Sequence, residues 1–182
     1  MTQAQRRGRI VAEAGFSLRT ERLLARADTI CAARGVRLTA LRRDVLGLIL
    51  EAETPAGAYD LLDRLRRARG KAAPPTVYRA LDFLCDQGLV HRVERLAAFV
   101  GCVAPPDPDA AAPEPHAHAH AAQFLICRRC GRAIELEDPE LAHALAAAAA
   151  RRGFAVRAAT IEAEGVCAAC AAAPVQESIP CP

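Results

Sequence analysis

A chain of 182 residues with 52% apolar and 25% charged side chains can supply the core of one large domain or two small ones. Its net charge of +3 hides a polarity: residues 1–95 carry 18 basic and 11 acidic side chains (net +7), and residues 96–182 carry 6 and 10 (net −4). The Arg-rich start without a long apolar run is not that of a signal peptide, and no stretch of about 20 apolar residues spans a membrane, so a cytoplasmic protein is expected.

A basic half joined to an acidic half suggests a polyanion-binding module attached to something else, the alternative being a solvated charged surface. Alanine inflates the apolar share, so Leu, Val and Ile are the core formers. Eight cysteines in a reducing compartment argue for metal ligation over disulfides.

Residues 1–19 show no clear period and read as an extension. From Thr20, a plausible N-cap, an apolar stripe runs through Leu23, Leu24, Ala27, Ile30 and Cys31 and stops near Gly35. A second helix follows Thr39, with Leu41, Val45, Leu48 and Ile49 on one face, and ends before Thr54-Pro55. A third covers about 58–68, with Leu61, Leu62 and Leu65 inward and Gly70 as its stop.

Pro74-Pro75-Thr76 opens a fourth helix that runs to about Gln87, with Gly88 just past its end. At about 100° per residue, Val77, Ala80, Leu81 and Leu84 share a buried face, opposite Tyr78, Arg79, Asp82 and Asp86. The segments 89–94 and 96–103 read as a hairpin. This is the element order of a winged helix-turn-helix, whose recognition helix enters the major groove. Taken singly, Arg79 also reads as a surface arginine paired with Asp82, and Tyr59 as a half-buried core residue.

Residues 104–122 hold five prolines and no large apolar side chain, so they form a linker. A strand over 123–127, a CRRCG knuckle and a strand over 133–137 follow. Asp138-Pro139 caps a helix that ends at Gly153, and a strand over 154–164 leads to Cys167-Ala168-Ala169-Cys170. Cys127/Cys130 and Cys167/Cys170 suit a four-thiolate, tetrahedral Zn²⁺ with no position for water, hence structural. A redox-active CxxC expects a single motif. His116, His118 and His120 are then loop residues or ligands of a second metal.

The segments VRLTALRRDVL, AYDLLDRLR, PPTVYRALDFLCDQGLVHRVE, FLICRRCGRAIE and GFAVRAATIEAEGVCAAC together resemble the ferric uptake regulator superfamily of bacterial metal sensors, and within it the zinc-sensing branch. The resemblance covers roughly residues 21–170. It implies an α+β protein: an N-terminal winged helix-turn-helix domain, then a small α/β dimerisation domain with an antiparallel sheet. The boundaries that follow are 1–19 extension, 20–103 DNA-binding domain, 104–122 hinge, 123–174 zinc-stapled dimerisation domain and 175–182 tail. It also implies two zinc ions per subunit. One is structural, on Cys127, Cys130, Cys167 and Cys170. The other is regulatory, on His91, Cys102, His120 and Glu135, where His120 is singled out by its place seven residues before Cys127.

By the same resemblance, Tyr59, Thr76, Tyr78 and Arg79 face DNA, and the partners are a palindromic operator and a second copy of the chain, with no membrane and no small-molecule substrate. The function implied is a zinc-responsive repressor of zinc-uptake genes. A sensor of iron, manganese or peroxide is the nearest alternative, opposed by the thiolate of Cys102. A zinc-ribbon enzyme or accessory protein is a further one, but no nucleophile–base pair or H-x-E signature supports an enzyme. The linker is longer than the family pattern and carries His116 and His118 as rivals to His120. Cys31, Cys85 and Cys181 have no ligand role by the resemblance, and His143 leaves a further metal site open.

Overall fold

A computed structural model describes residues 15–70, 72–102, 122–157 and 159–173. His116, His118, His120, Cys181 and nearly all of the proline-rich linker lie outside them. Among the described residues no helix is long and apolar enough to cross a membrane.

The first half is built from α1 (Leu18–Ala33), α2 (Ala40–Leu50), β1 (Ala56–Gly57), α3 (Ala58–Arg69), α4 (Pro74–Asp86), β2 (Val90–Val93) and β3 (Ala98–Gly101). Helix α1 begins earlier than the sequence suggests. Ser17, not Thr20, is its N-cap, and the Ser17 hydroxyl accepts the Thr20 N–H at 3.3 Å. A tertiary contact decides this: the Ser17 N–H donates to the Glu51 carboxylate at 2.9 Å, and Thr20 is buried one turn inside. Those two hydroxyls, Ser17 first, hold the Glu51 carboxyl below its usual value.

Helix α4 buries Val77, Ala80, Leu81 and Leu84, the face expected from its period. Its end is a Schellman turn. Gly88 takes φ +66°, its N–H reaches the Cys85 carbonyl at 2.8 Å, and the Leu89 N–H reaches Leu84 at 3.0 Å. The four helices and the wing strands share one core, in which each fully buried Leu or Ile contributes about 1.5–3 kcal/mol. The hairpin is joined by a short edge strand that the sequence did not suggest: β1 pairs with β3, giving the order β1-β3-β2. Helix, strand, helix, helix, hairpin is the winged-helix order, with α1 added in front.

The second half contains β4 (Ala122–Cys127), β5 (Ala133–Leu136), α5 (Pro139–Ala150), β6 (Thr160–Gly165) and α6 (Ala168–Ala172). Asp138 caps α5 as expected, accepting the Glu140 N–H at 2.9 Å. The last strand is shorter than the sequence suggests, because Gly153 at φ +71° and Phe154 still close the helix end, the Phe154 N–H reaching Ala149. The expected antiparallel pairing holds for β4 with β5. β6 joins the other edge of β4 in parallel, so the order β5-β4-β6 is mixed. A helix lies between β5 and β6, and this crossover returns the chain past β4 in its own direction.

Gly47 of α2 lies under the Phe16 ring, where a Cβ would come within 2.2 Å of it. Gly47→Ala therefore ejects Phe16 and lowers unfolding free energy by about 1 kcal/mol, the lost ring packing outweighing the helix gain. In a Phe16→Ala background the same substitution stabilises by about 1 kcal/mol. Urea unfolding of the four proteins checks the reversal of sign.

Candidate metal centres and nucleic-acid interface

The wing hairpin has two faces. Val90 and Phe99 point into the helical core, and His91, Val93, Val100 and Cys102 point the other way. His91 pairs with Val100, so Cys102, two residues further on, is its diagonal neighbour on that face. The Cys102 N–H donates to the Leu89 carbonyl at 3.1 Å, which extends the pairing past β3 and fixes the thiol.

This face meets the second sheet. Val93 packs with Ala122, Phe124 and Ile126, and the His91 ring sits edge-on to Phe124 with centroids 5.9 Å apart. Phe124 is paired across the sheet with Glu135 on β5 and with Glu162 on β6, so all three side chains share one rung and one face. From this rung Glu135 reaches the wing. Its Oε1 lies 3.1 Å from His91 Nε2 and 4.0 Å from Cys102 Sγ.

Imidazole, thiol and carboxylate thus converge within 4.8 Å of one another, with His91 1% exposed and the Glu135 side chain 2%. Ligands of a tetrahedral zinc with bonds of about 2.0–2.3 Å lie about 3.3–3.8 Å apart, so this set needs only small adjustments to fit. Enclosing a carboxylate and a thiol around one imidazole is costly unless a cation is shared between them. The fourth residue expected here, His120, lies outside the described residues.

The four CxxC cysteines form a second cluster, also within 4.8 Å. β4 delivers Cys127, and the Gly131 N–H closes the first knuckle on the Cys127 carbonyl at 2.9 Å. The parallel strand β6 delivers Cys167 two residues beyond its end. The Cys167 N–H then donates to Cys127 Sγ at 3.3 Å, and Cys130 Sγ lies 3.9 Å from Cys167 Sγ. Backbone N–H groups, that of Cys167 first and that of Cys130 next, bring the Cys127 thiol down to about 6. Hydrogen bonding among the sulfurs, with Cys167 first and Cys130 next, pushes Cys170 up to about 12. Ionising all four together calls for a cation, and a closed set of four thiolates fits a structural zinc. Arg129, between the first two cysteines, donates to the Cys170 carbonyl and ties the knuckles together, a contact the sequence did not suggest.

Tyr59 at the start of α3 is 72% exposed, which removes the half-buried reading. Thr76, Tyr78 and Arg79 are exposed along the first two turns of α4. An Arg79–Asp82 ion pair is absent among the described residues. Arg42 packs on α4 one turn beyond Arg79, its guanidinium 3.5 Å from the Phe83 ring centroid. Cys31 and Cys85 lie with the helical core, and burial pushes the Cys85 thiol up to about 12, so neither has the character of a ligand. His143 is exposed on α5 and belongs to neither cluster.

No family model matches the chain. Over 156 residues it is 46% identical to the zinc uptake regulation protein of Escherichia coli (strain K12), the match spanning 83% of this chain and 82% of the relative. The structure of a zinc uptake regulator complexed with zinc and DNA is similar at a TM-score of 0.74, with 45% identity over 84% of this chain and 95% of that one. The structure of holo XcZur is similar at 0.71, with 45% identity over 84% of this chain and 99% of that one.

The α1–α4 unit has its own core and contains none of the four CxxC cysteines. Cys127→Ser is expected to empty the four-cysteine cluster and unfold β4–β6 while the helices of the first half persist. Metal analysis, with hydrogen exchange mapped by segment, checks this. Equal loss of protection in α2 and α4 would contradict it.

Proposed function

The chain belongs to the zinc uptake regulation protein family, and from that premise we propose that it is a zinc-responsive repressor that binds operator DNA when zinc is plentiful. The observation that carries the reading is the convergence of His91 and Cys102 from the wing with Glu135 from the second sheet. These ligands come from both halves of the molecule, so holding one ion in common fixes the wing, and α4 with it, against the second sheet. A bound Zn²⁺ supplies a Lewis-acid centre that binds nitrogen, sulfur and oxygen donors together. His120 is the fourth ligand in this proposal, which brings the count to two zinc ions per subunit.

One thiolate among four ligands makes this site weaker and more reversible than the four-cysteine cluster, as a sensor requires. That thiolate also favours zinc over iron(II) or manganese(II). A ligand changes an equilibrium only by its difference in affinity for the two states, and here that difference is whether the wing ligands stand beside Glu135. Tyr59, Thr76, Tyr78 and Arg79 form the DNA-reading set. Arg79 offers the bidentate geometry that suits a guanine edge, worth about 1–3 kcal/mol of discrimination.

We further propose a division at the linker, with residues 20–103 binding DNA and 123–174 forming a homodimer. The face of the second sheet turned away from the wing exposes Leu125 and Ile134, and α5 leaves Leu141 and Leu145 partly exposed. No residue of α5 is buried, and an isolated 12-residue helix is marginal in water. A second copy of this face supplies the missing cover, and two heads related by a two-fold axis match a palindromic operator. The protein is accordingly a cytoplasmic regulator, not an enzyme.

Two measurements test this. Binding to a palindromic duplex selected in vitro with the zinc-loaded protein should rise with buffered free Zn²⁺. Cys102→Ser and His120→Ala should each weaken the response by tenfold or more, about the value of a lost metal ligand or its orienting partner. Affinity indifferent to zinc would overturn the sensor reading. If His118→Ala or His116→Ala impairs the response and His120→Ala does not, only the fourth ligand is misassigned. Second, Leu141→Arg should give monomers in sedimentation and lose affinity for the two-half-site duplex while still binding the four-cysteine zinc.

A further inference from the structure

The wing touches the second sheet at a place that contains no metal ligand. β2 ends at Val93, and Glu94–Leu96 form one 3₁₀ turn. The first N–H groups of such a turn have no partner within it. Here both are taken by one side chain from the other half of the molecule: Glu162 Oε1 accepts the Glu94 N–H at 2.6 Å, and Glu162 Oε2 accepts the Arg95 N–H at 3.0 Å. Two residues along β6, Glu164 pairs with the Arg95 guanidinium at 3.0 Å. That pair is half exposed and adds little. The bidentate carboxylate, with a full charge on two backbone donors, is the stronger element.

Its position matters more than its strength. Glu162 stands on the same rung as Glu135, with Phe124 between them. Two strand spacings separate the ends of that rung by about 10 Å. Along the wing, the three steps from His91 to Glu94 also span about 10 Å. The two contacts therefore match in length, one at each end of the rung, with the edge-on contact of His91 and Phe124 near the middle. The ligand cluster holds the wing at one end of the rung. The Glu162 bonds add a second fixed point at the other end, which resists rotation about the first.

We infer that Glu162 is a positioning residue for DNA binding: it caps the wing turn and sets the orientation in which the zinc-loaded wing presents α4. The inference rests on the zinc-repressor reading for its consequence, and on the two hydrogen bonds for its geometry. Glu162 is neither one of the proposed zinc ligands nor one of the proposed DNA-facing residues.

The test compares the wild type with Glu162→Gln, a near-isosteric change that keeps one acceptor and turns an amide NH₂ toward the other N–H. Glu162→Asp is included as the conservative variant. The probes are the selected palindromic duplex, metal analysis and amide exchange at Glu94 and Arg95. At saturating zinc, Glu162→Gln is expected to bind the duplex about tenfold more weakly with unchanged zinc content. Its Glu94 and Arg95 amides should exchange faster, while protection in α4 stays as in the wild type. Glu162→Asp should recover part of the affinity. In a Cys102→Ser background, Glu162→Gln should add little, since both act through one orientation.

Wild-type affinity in Glu162→Gln would overturn the inference, as would unchanged protection at the two amides. A full further tenfold loss in the Cys102→Ser background would also overturn it, showing that the two residues act separately. Wild-type binding that ignores zinc would sink the zinc response instead, and the effect of Glu162→Gln on duplex affinity would still decide the positioning role.

Discussion

The backbone pairing of β4 with a neighbour on each side is the constraint on which both clusters depend. It is antiparallel to β5 and parallel to β6, and these two ladders hold Glu135, Phe124 and Glu162 in one row. The same ladders carry Cys127 to the end of the sheet, where β6 brings up Cys167. A slip of one residue in either pairing would turn its strand's side chains to the opposite face and undo the row. Strong side-chain chemistry thus rests on ordinary main-chain hydrogen bonds.

The two clusters differ in what their surroundings permit. Four sulfurs on two tight knuckles belong to one half of the molecule and leave no ligand position open, which suits the folding role proposed for them. Imidazole, thiol and carboxylate drawn from a hairpin and a sheet span two halves, which suits the sensory role proposed for them. The wing can serve as messenger because its period of two separates its duties. Val90 and Phe99 anchor it in the helical core, while His91, Val93 and Cys102 remain available to the second sheet.

Much of this was legible in the sequence, for identifiable reasons. The buried face of α4 follows from helical period, because Val77, Ala80, Leu81 and Leu84 have no competing role. The two knuckles follow from cysteine spacing. His91, Cys102 and Glu135 could be selected only through the family resemblance, since each alone reads equally well as a core or surface residue. Other features were not legible. The start of α1 depends on Glu51, over 30 residues away. The parallel addition of β6 depends on a crossover that no local pattern records. Glu162 alternates with Ile161 and Ala163 as a solvated strand carboxylate would, and only the docked wing shows otherwise.

Parallel pairing of β4 with β6 also has a consequence for the order in which the protein is made. The helical unit, its wing and the ligands His91 and Cys102 leave the ribosome first and can pack using contacts already synthesised. Glu135 follows, but the strand it sits on belongs to a sheet still lacking one edge. β6 brings Glu162 and, immediately after it, Cys167 and Cys170. The last thiols of the four-cysteine cluster and the Glu162 contacts on the wing therefore become available almost together, when the end of the chain clears the ribosome. A nascent chain stalled before that point holds a folded head without the two Glu162 hydrogen bonds and without the second pair of cysteines.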